Sequence, residues 1–240
     1  MLKKIFTICM ALCIAVTIVG CGKAGDSNKG KGDAAKRGKV KSDEVQFISA
    51  DDKAVTAVIT TELGDITVAL YPEYAPQAVE NFIGLAKQGY YKDMPFHRVI
   101  NDFLVQTGDA DGTGKGGSTI WKNAPYPVEI SDKLHHYSGA LGMAHPDGKS
   151  LENKSQFYII ATQQSSVDDA VADKLRQNNV RTEVVDTYKQ AGGAPYLDGL
   201  YTVFGQVTSG MDIVDKICAG AVEGEAPVTP IKLVSITIKD

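Results

Sequence analysis

Residues 96–109, FHRVINDFLVQTGD, place side chains that are suited to chemistry within a stretch that is typical of a β-strand. His97, Arg98 and Gln106 carry several hydrogen-bond donors, and most of their neighbours are apolar. A core strand does not bury such donors without partners, because each unpaired polar group costs free energy. The stretch therefore indicates either a site that uses the donors or structural residues that are bonded to backbone carbonyl groups.

Other reactive patterns in the sequence lack the context that their chemistry needs. Gly112-x-Gly114-x-x-Gly117 fits the glycine pattern of dinucleotide-binding loops, but STIWKNAPYP follows it and does not begin a helix. We interpret it as a flexible surface loop. The four histidines have no metal-ligand spacing, and neither a nucleophile elbow nor a Ser-His-Asp order is present. We therefore predict a site without metal, cofactor or covalent nucleophile.

The first twenty residues are typical of an export signal. Two lysines precede an apolar run at 5–19, which is shorter than the roughly 20 apolar residues of a permanent membrane span. The run ends in Ile18-Val19-Gly20-Cys21, which resembles the lipobox of bacterial lipoproteins. We predict a lipoprotein signal peptide at 1–20 and lipidation of Cys21. Ordinary signal cleavage beside an incidental cysteine is the alternative.

Cysteine positions agree with that prediction. Cys9 and Cys13 would leave with the signal and Cys21 would carry the lipid. Only Cys218 would then remain in the exported domain, so no disulfide could form within it. We expect Cys218 to be a small buried residue of a helix.

Charge is divided unevenly along the chain. Residues 21–53 are predicted to be the lipidated cysteine followed by a flexible basic tether, since 22–41 contain seven basic and two acidic residues and almost no apolar ones. Residues 42–240 contain 16 basic and 27 acidic residues, a formal charge of −11. Such a domain disfavours nucleic acid as a partner. The tether could contact anionic lipid headgroups, or its charge could only keep it extended.

The rest of the chain, 54–240, is predicted to be one domain made of many short strands. AVTAVITTELGDITVALY has the pattern of a β-hairpin, and YAPQAVENFIGLAKQGYY that of an amphipathic helix. Further strands are expected at 96–107, 139–144, 156–161, 200–207 and 231–238, and a second helix at 210–217. This content predicts a mainly β fold, a closed antiparallel barrel. A polar, helix-prone segment at 165–193 is predicted to be a helical insert between strands.

Three further segments share the character of the first stretch: GALGMAH at 139–145, NKSQFYI at 153–159 and YLDGLYTVFGQV at 196–207. FHRVINDFLVQTGD resembles the FHR-x-I-x-x-F-x-x-Q-x-G-D signature of cyclophilins, the peptidyl-prolyl cis-trans isomerases that also bind cyclosporin. The three segments resemble other motifs of that family, in the family's order, over about 54–240. The resemblance implies an eight-stranded antiparallel barrel that is closed, capped by two helices, and grooved on its outer face for proline.

The same resemblance assigns roles to individual residues. It makes Arg98 the catalytic residue. We interpret His97 as a structural residue, packed or bonded beneath the groove. The resemblance implies that substrate is bound by Phe103, Leu104, Gln106, Ala144, His145, Gln156, Tyr158, Tyr196, Leu197 and Tyr201. Tyr196 stands where many members have tryptophan, which weakens the expectation of cyclosporin binding. His145 stands where many have asparagine, and Tyr201 where many have histidine.

The chemistry of proline isomerisation suits these residues. Resonance gives the peptide bond a rotational barrier of about 18–20 kcal/mol, and X-Pro bonds flip over tens to hundreds of seconds. Twisting localises the lone pair on the proline nitrogen, so a donor aimed there stabilises the twisted state more than the planar one. An arginine is always protonated and its planar fork is stiff.

The sequence therefore predicts an exported prolyl isomerase, lipid-anchored and facing outward, whose partners are proline-containing exported proteins during folding. We expect a monomer. A module that binds proline segments without turnover remains an alternative, and the single domain disfavours a two-lobed solute-binding lipoprotein. We expect the helical insert to lie at the groove's edge and to restrict protein substrates.

Overall fold

The computed structural model describes residues 38–48, 54–145 and 151–239. The predicted signal peptide, Cys21 and most of the predicted tether lie outside these ranges, so their assignments stay predictions. No helix within the described ranges is long and apolar enough to cross a bilayer.

The described chain is mainly β, with four α-helices and two short 3₁₀ turns. The helices are α1 (Pro76–Lys87), α2 (Asp169–Gln177), α3 (Thr182–Ala191) and α4 (Met211–Cys218), and the 3₁₀ turns are Gln164–Ser166 and Pro195–Leu197. The strands are β1 (Val55–Thr61), β2 (Gly64–Leu70), β3 (Met94–Pro95), β4 (Arg98–Ile100), β5 (Leu104–Thr107), β6 (Tyr126–Pro127), β7 (Ala140–Met143), β8 (Glu152–Asn153), β9 (Phe157–Ile160), β10 (Val203–Ser209), β11 (Val222–Glu223), β12 (Ala226–Pro227) and β13 (Lys232–Lys239).

Nine of these strands form one antiparallel sheet in the order β3-β13-β1-β2-β10-β7-β9-β5-β4. The sheet is a curled half-barrel whose two ends, β3 and β4, are separated in sequence only by Phe96 and His97. The prediction of a closed barrel was therefore wrong. The predicted count of eight strands is not confirmed, since nine strands form this sheet. One short stretch, 94–100, supplies both end strands, and Phe96 and His97 between them belong to neither.

The predicted strand at 96–107 is likewise two strands. Asp102 adopts a positive φ of 56° in the turn between β4 and β5, which pair with each other. The predicted hairpin at the start of the domain is confirmed, with Glu62 and Leu63 between β1 and β2. Alternate residues such as Ile59 and Ile66, which are register partners, point into the core and are fully buried.

The two predicted cap helices are confirmed as α1 and α4. Helix α1 begins at Pro76, whose missing N–H is no loss in the first turn. The carboxylate of Glu129 accepts hydrogen bonds from the backbone N–H groups of Gln77 and Ala78, at 3.0 and 2.9 Å. Such an acceptor satisfies donors that have no partner inside the helix. In α4, Cys218 is buried and free, as predicted.

Helices are present within 165–193, as predicted; that they are an insertion relative to the family stays a prediction. We call α2 and α3 the helical hairpin. Together with Tyr137 it forms a cluster of its own, and residues 38–48 pack against it. There Arg181 donates to both oxygens of Glu44, at 2.9 and 3.1 Å, and Phe47 contacts Tyr137 edge to face. Residues 38–48 of the predicted tether are therefore packed against the domain instead of being fully solvated.

Candidate functional site

A cleft of about 740 Å³ opens on the outer face of the sheet. It is lined by ten of the eleven residues that the sequence assigned to the site: Arg98, Phe103, Leu104, Gln106, Ala144, His145, Gln156, Tyr158, Leu197 and Tyr201. The eleventh, Tyr196, is not in the lining; it is 65% exposed, with its ring centroid 6.0 Å from that of Phe103. The structure thus brings the predicted set together, with Tyr196 at the rim.

Strand register explains why the cleft lies outside the core. Arg98 is opposite Gln106, Gln106 is opposite Tyr158, and Tyr158 is opposite Gly142, across β4, β5, β9 and β7. Register partners share a face of the sheet. Their immediate neighbours in sequence form the parallel inner row, which is almost completely buried: Val99, Val105, Ile159 and Leu141. The two-residue period of a strand therefore sends the polar row outward and the apolar row inward.

The absence of a side chain at Gly142 leaves room for the ring of Tyr158 in this row. A Cβ atom on Gly142 would lie 2.3 Å from Cζ of Tyr158, closer than real Cβ contacts allow. The ring of Tyr158 can therefore lie over the β7 backbone only because residue 142 has no side chain.

The polar part of the cleft is a continuous chain of hydrogen bonds. Arg98 donates from Nε to Glu225 at 2.5 Å and from Nη1 to the Gln106 Oε1 at 3.0 Å. Gln106 donates to Gln156 Oε1 at 2.9 Å, and Gln156 donates to the carbonyl groups of Gly114 and Gly116 at 3.0 and 2.8 Å. Both glutamines are buried. The arginine is therefore held by fixed partners, while its side chain stays 38% exposed.

The loop at 110–118 forms one wall of the cleft and supplies the two carbonyl groups that accept hydrogen bonds from Gln156. Asp109 organises it, because its carboxylate accepts from the backbone N–H groups of Asp111, Gly114 and Gly116. Burial raises the pKa of Asp109, but these hydrogen bonds outweigh that effect and leave the pKa below its usual value. No helix begins here, so the dinucleotide pattern of this loop has no dinucleotide-binding context.

His97 lies between this loop and the sheet. Both ring nitrogens are buried, and neither has a hydrogen-bond partner among the described residues. Burial lowers its pKa, against the opposing charge of Asp109, because desolvation disfavours the imidazolium form. The ring therefore lies buried next to Arg98 with no hydrogen bond from either nitrogen to a described residue.

Apolar side chains form the opposite wall: Phe103, Leu104, Tyr158, Leu197 and Tyr201. Beside them, His145 stacks on Tyr201 with centroids 4.5 Å apart. The Tyr158 hydroxyl lies 2.9 Å from Nε2 of His136. Sequence reasoning missed His136, which lies behind this wall.

Asp198 holds the group behind the apolar wall. Its carboxylate contacts Nδ1 of His135 and of His136 at 3.0 and 2.8 Å and accepts from the Tyr188 hydroxyl at 2.7 Å. Burial alone would raise the pKa of Asp198, but the hydrogen bonds from the two histidines hold it well below its usual value.

Sequence reasoning also missed Glu225, which contacts Arg98 from a position 127 residues away along the chain. No spacing rule connects the two, because the contact depends on how the β11–β12 turn lies against β4. No group of three or more His, Cys, Asp or Glu in the described ranges is placed to hold a metal ion.

The site thus combines a fixed cationic hydrogen-bond donor with an apolar pocket on the outer face of a curled β-sheet. The comparisons give the family. Residues 56–238 match the sequence family described as cyclophilin type peptidyl-prolyl cis-trans isomerase/CLD. The chain belongs to this family of isomerases.

Relatives and solved structures agree. A Staphylococcus saprophyticus protein named "Putative peptidyl-prolyl cis-trans isomerase" is 40% identical over 163 residues, covering 68% of this chain and 80% of the relative. A Staphylococcus epidermidis protein of the same name is 37% identical over 190 residues, covering 79% and 94%. The crystal structure of a Cryptosporidium parvum cyclophilin type isomerase matches with a TM-score of 0.62 at 27% identity, covering 78% of this chain and 98% of that one. The same isomerase was also solved in the presence of the dipeptide ala-pro, with a TM-score of 0.61.

Proposed function

We propose that this peptidyl-prolyl cis-trans isomerase is a lipid-anchored enzyme that rotates X-Pro bonds of exported proteins and so assists their folding at the outer face of the cell membrane. The observation that carries the site assignment is the placement of Arg98. Its guanidinium is bonded on one side to Gln106 and on another to Glu225, and it borders the apolar wall of the cleft.

In the proposed mechanism the apolar wall holds the proline ring while the peptide bond before it rotates. Rotation localises the lone pair on the proline nitrogen, and an N–H of Arg98 donates to it in the twisted state. No bond forms or breaks, so neither a nucleophile nor a cofactor is required. Shortening tens of seconds to milliseconds needs about 10⁴-fold, roughly 5.5 kcal/mol. One charged hydrogen bond together with positioning can supply that amount.

The remaining lining residues are proposed to bind the peptide around the proline. Ala144 and His145 follow β7 at the edge of the cleft, and Gln156 precedes β9. We infer that an extended peptide backbone would pass along them. The ala-pro dipeptide present with the Cryptosporidium parvum isomerase is the kind of ligand that this cleft is proposed to take.

The rate of cis/trans exchange in a proline peptide, measured by NMR, tests the enzymatic assignment against a module that only binds. We expect wild-type protein to accelerate exchange and Arg98→Ala to lose most of the acceleration, by about 100-fold. Arg98→Lys keeps the charge but not the planar fork, so we expect an intermediate rate. Wild-type exchange no faster than in buffer, with the peptide still bound, would establish the binding module instead.

The anchor is proposed from the sequence alone. Cys21 follows the lipobox-like residues, and the tether after it carries the basic excess. Expression of the full chain with radiolabelled palmitate, followed by membrane fractionation, tests the proposal. We expect label and membrane association in the wild type and neither in Cys21→Ala; equal labelling of both proteins would remove the lipid anchor from the proposal.

A further inference from the structure

Glu225 lies at the turn between β11 and β12 and is fixed next to Arg98 by two contacts. Its backbone carbonyl accepts a hydrogen bond from the N–H of Val99 at 2.8 Å, in the strand that carries the arginine. Its carboxylate accepts from Nε of Arg98 at 2.5 Å. Because Arg98 and Val99 are consecutive, these contacts place the glutamate against both the backbone and the side chain of β4.

The contact determines how the guanidinium is presented. Arg98 is held at Nε by Glu225 and at Nη1 by Gln106, and its Nη2 atom has no hydrogen-bond partner within the described ranges. A guanidinium is planar, so two fixed partners define the plane of the whole group. Loss of Glu225 would leave Gln106 as the only fixed side-chain partner and would let the plane rotate.

The same carboxylate changes the charge of the cleft. The charged side chains that line it, apart from histidines, are Arg98, Lys115 and Glu225. Without the glutamate the lining of the cleft would carry two cations and no carboxylate. The Glu225 side chain is 55% exposed, so its charge acts on a bound peptide through a screened field.

We propose that Glu225 is a positioning residue for Arg98 and a specificity-determining residue of the cleft. It fixes the guanidinium plane, and its charge disfavours acidic residues beside the substrate proline relative to basic ones. The inference rests on the role proposed above for Arg98.

The two effects can be separated with two variants. Glu225→Gln keeps a hydrogen-bond acceptor and removes the charge, whereas Glu225→Ala removes both. Glu223→Gln is the matched control, because Glu223 is an exposed residue of the same hairpin that is not in the cleft lining. Three proline peptides that differ only in the residue next to proline, Lys, Ala or Glu, are the substrates.

For specificity, we expect Glu225→Gln to raise the ratio of kcat/KM for the Glu peptide over the Lys peptide about three- to fivefold at low salt. The change should vanish at about 1 M salt, where the screening length is about 3 Å. Glu223→Gln should leave the ratio within about 1.5-fold of the wild type. An unchanged ratio in Glu225→Gln, or an equal change in the control, would overturn the specificity role.

For positioning, we expect Glu225→Ala to lower kcat on the Ala peptide about three- to tenfold with little change in KM, and Glu225→Gln to recover most of it. Wild-type kcat in Glu225→Ala would overturn the positioning role. Arg98→Ala in the same assay separates this outcome from a failure of the proposed function: if it keeps wild-type activity, the assignment of Arg98 fails, whatever Glu225 does.

Discussion

The ring of Tyr158, in the apolar wall of the cleft, stacks on the fully buried ring of His136 with centroids 6.1 Å apart and planes 19° apart. When Nδ1–H of His136 donates to Asp198, Nε2 can accept a hydrogen bond from the Tyr158 hydroxyl. Asp198 also accepts from Tyr188 of α3. The apolar wall of the cleft is therefore joined to the helical hairpin by a chain of hydrogen bonds through Asp198.

Removal of the Asp198 carboxylate should destabilise the protein. Asp198→Ala would leave the donors of His136 and Tyr188 buried without their acceptor, at a cost of about 3 kcal/mol in the free energy of unfolding. Urea unfolding at pH 7 measures it. Asp212→Ala is the matched control, since Asp212 pairs with Lys216 on the surface of α4 and should cost less than about 1 kcal/mol. Equal losses in the two variants would contradict the importance of the buried network.

Stability should depend on pH through the same residue. The pKa of Asp198 is lowered in the folded protein, so the folded state binds this proton less readily than the unfolded state. The contribution is complete above the unfolded pKa of about 3.9 and is lost as pH falls toward the folded pKa. We expect the difference in unfolding free energy between wild type and Asp198→Asn to shrink as the pH falls below about 4. An undiminished difference in that range would show that the Asp198 carboxylate is not its source.

The sequence predicted most of the cleft lining but not the open form of the sheet. Four motifs that resemble those of cyclophilins named eleven residues, and ten of them line one cleft. Closure of the sheet was predicted wrongly because it depends on whether the first and last strands of the sheet pair with each other, which the alternation within one strand does not show. Glu225 and His136 were missed because their contacts join residues that only the folded chain brings together.

Substitution of Gly142 should displace the aromatic wall. The Cβ of Gly142→Ala would lie 2.3 Å from Cζ of Tyr158, so the ring must move off the β7 backbone and strain its hydrogen bond to His136. We expect kcat/KM for a short proline peptide to fall about tenfold, equivalent to about 1.4 kcal/mol of transition-state stabilisation, because the displaced ring would no longer form the wall proposed to hold the proline. Gly220→Ala, away from the cleft, is the control and should keep wild-type activity. An unchanged kcat/KM in Gly142→Ala would show that the ring position does not limit catalysis.

The exposed rim residue Tyr196 should matter more for large substrates than for small ones. Tyr196 belongs to the 3₁₀ turn that follows the helical hairpin. It lies outside the cleft lining, and its ring contacts that of Phe103. A short peptide that fills only the cleft would touch it little, whereas a folding protein must pass over the rim. We expect Tyr196→Ala to slow proline-limited refolding of a protein substrate about three- to tenfold while changing peptide exchange less than twofold. Tyr196→Trp should in turn strengthen cyclosporin binding, measured by calorimetry, because the larger indole adds apolar contact area. Equal effects of Tyr196→Ala on the two substrates would contradict a role of Tyr196 that is specific to protein substrates. They would place Tyr196 with the residues that hold the proline itself.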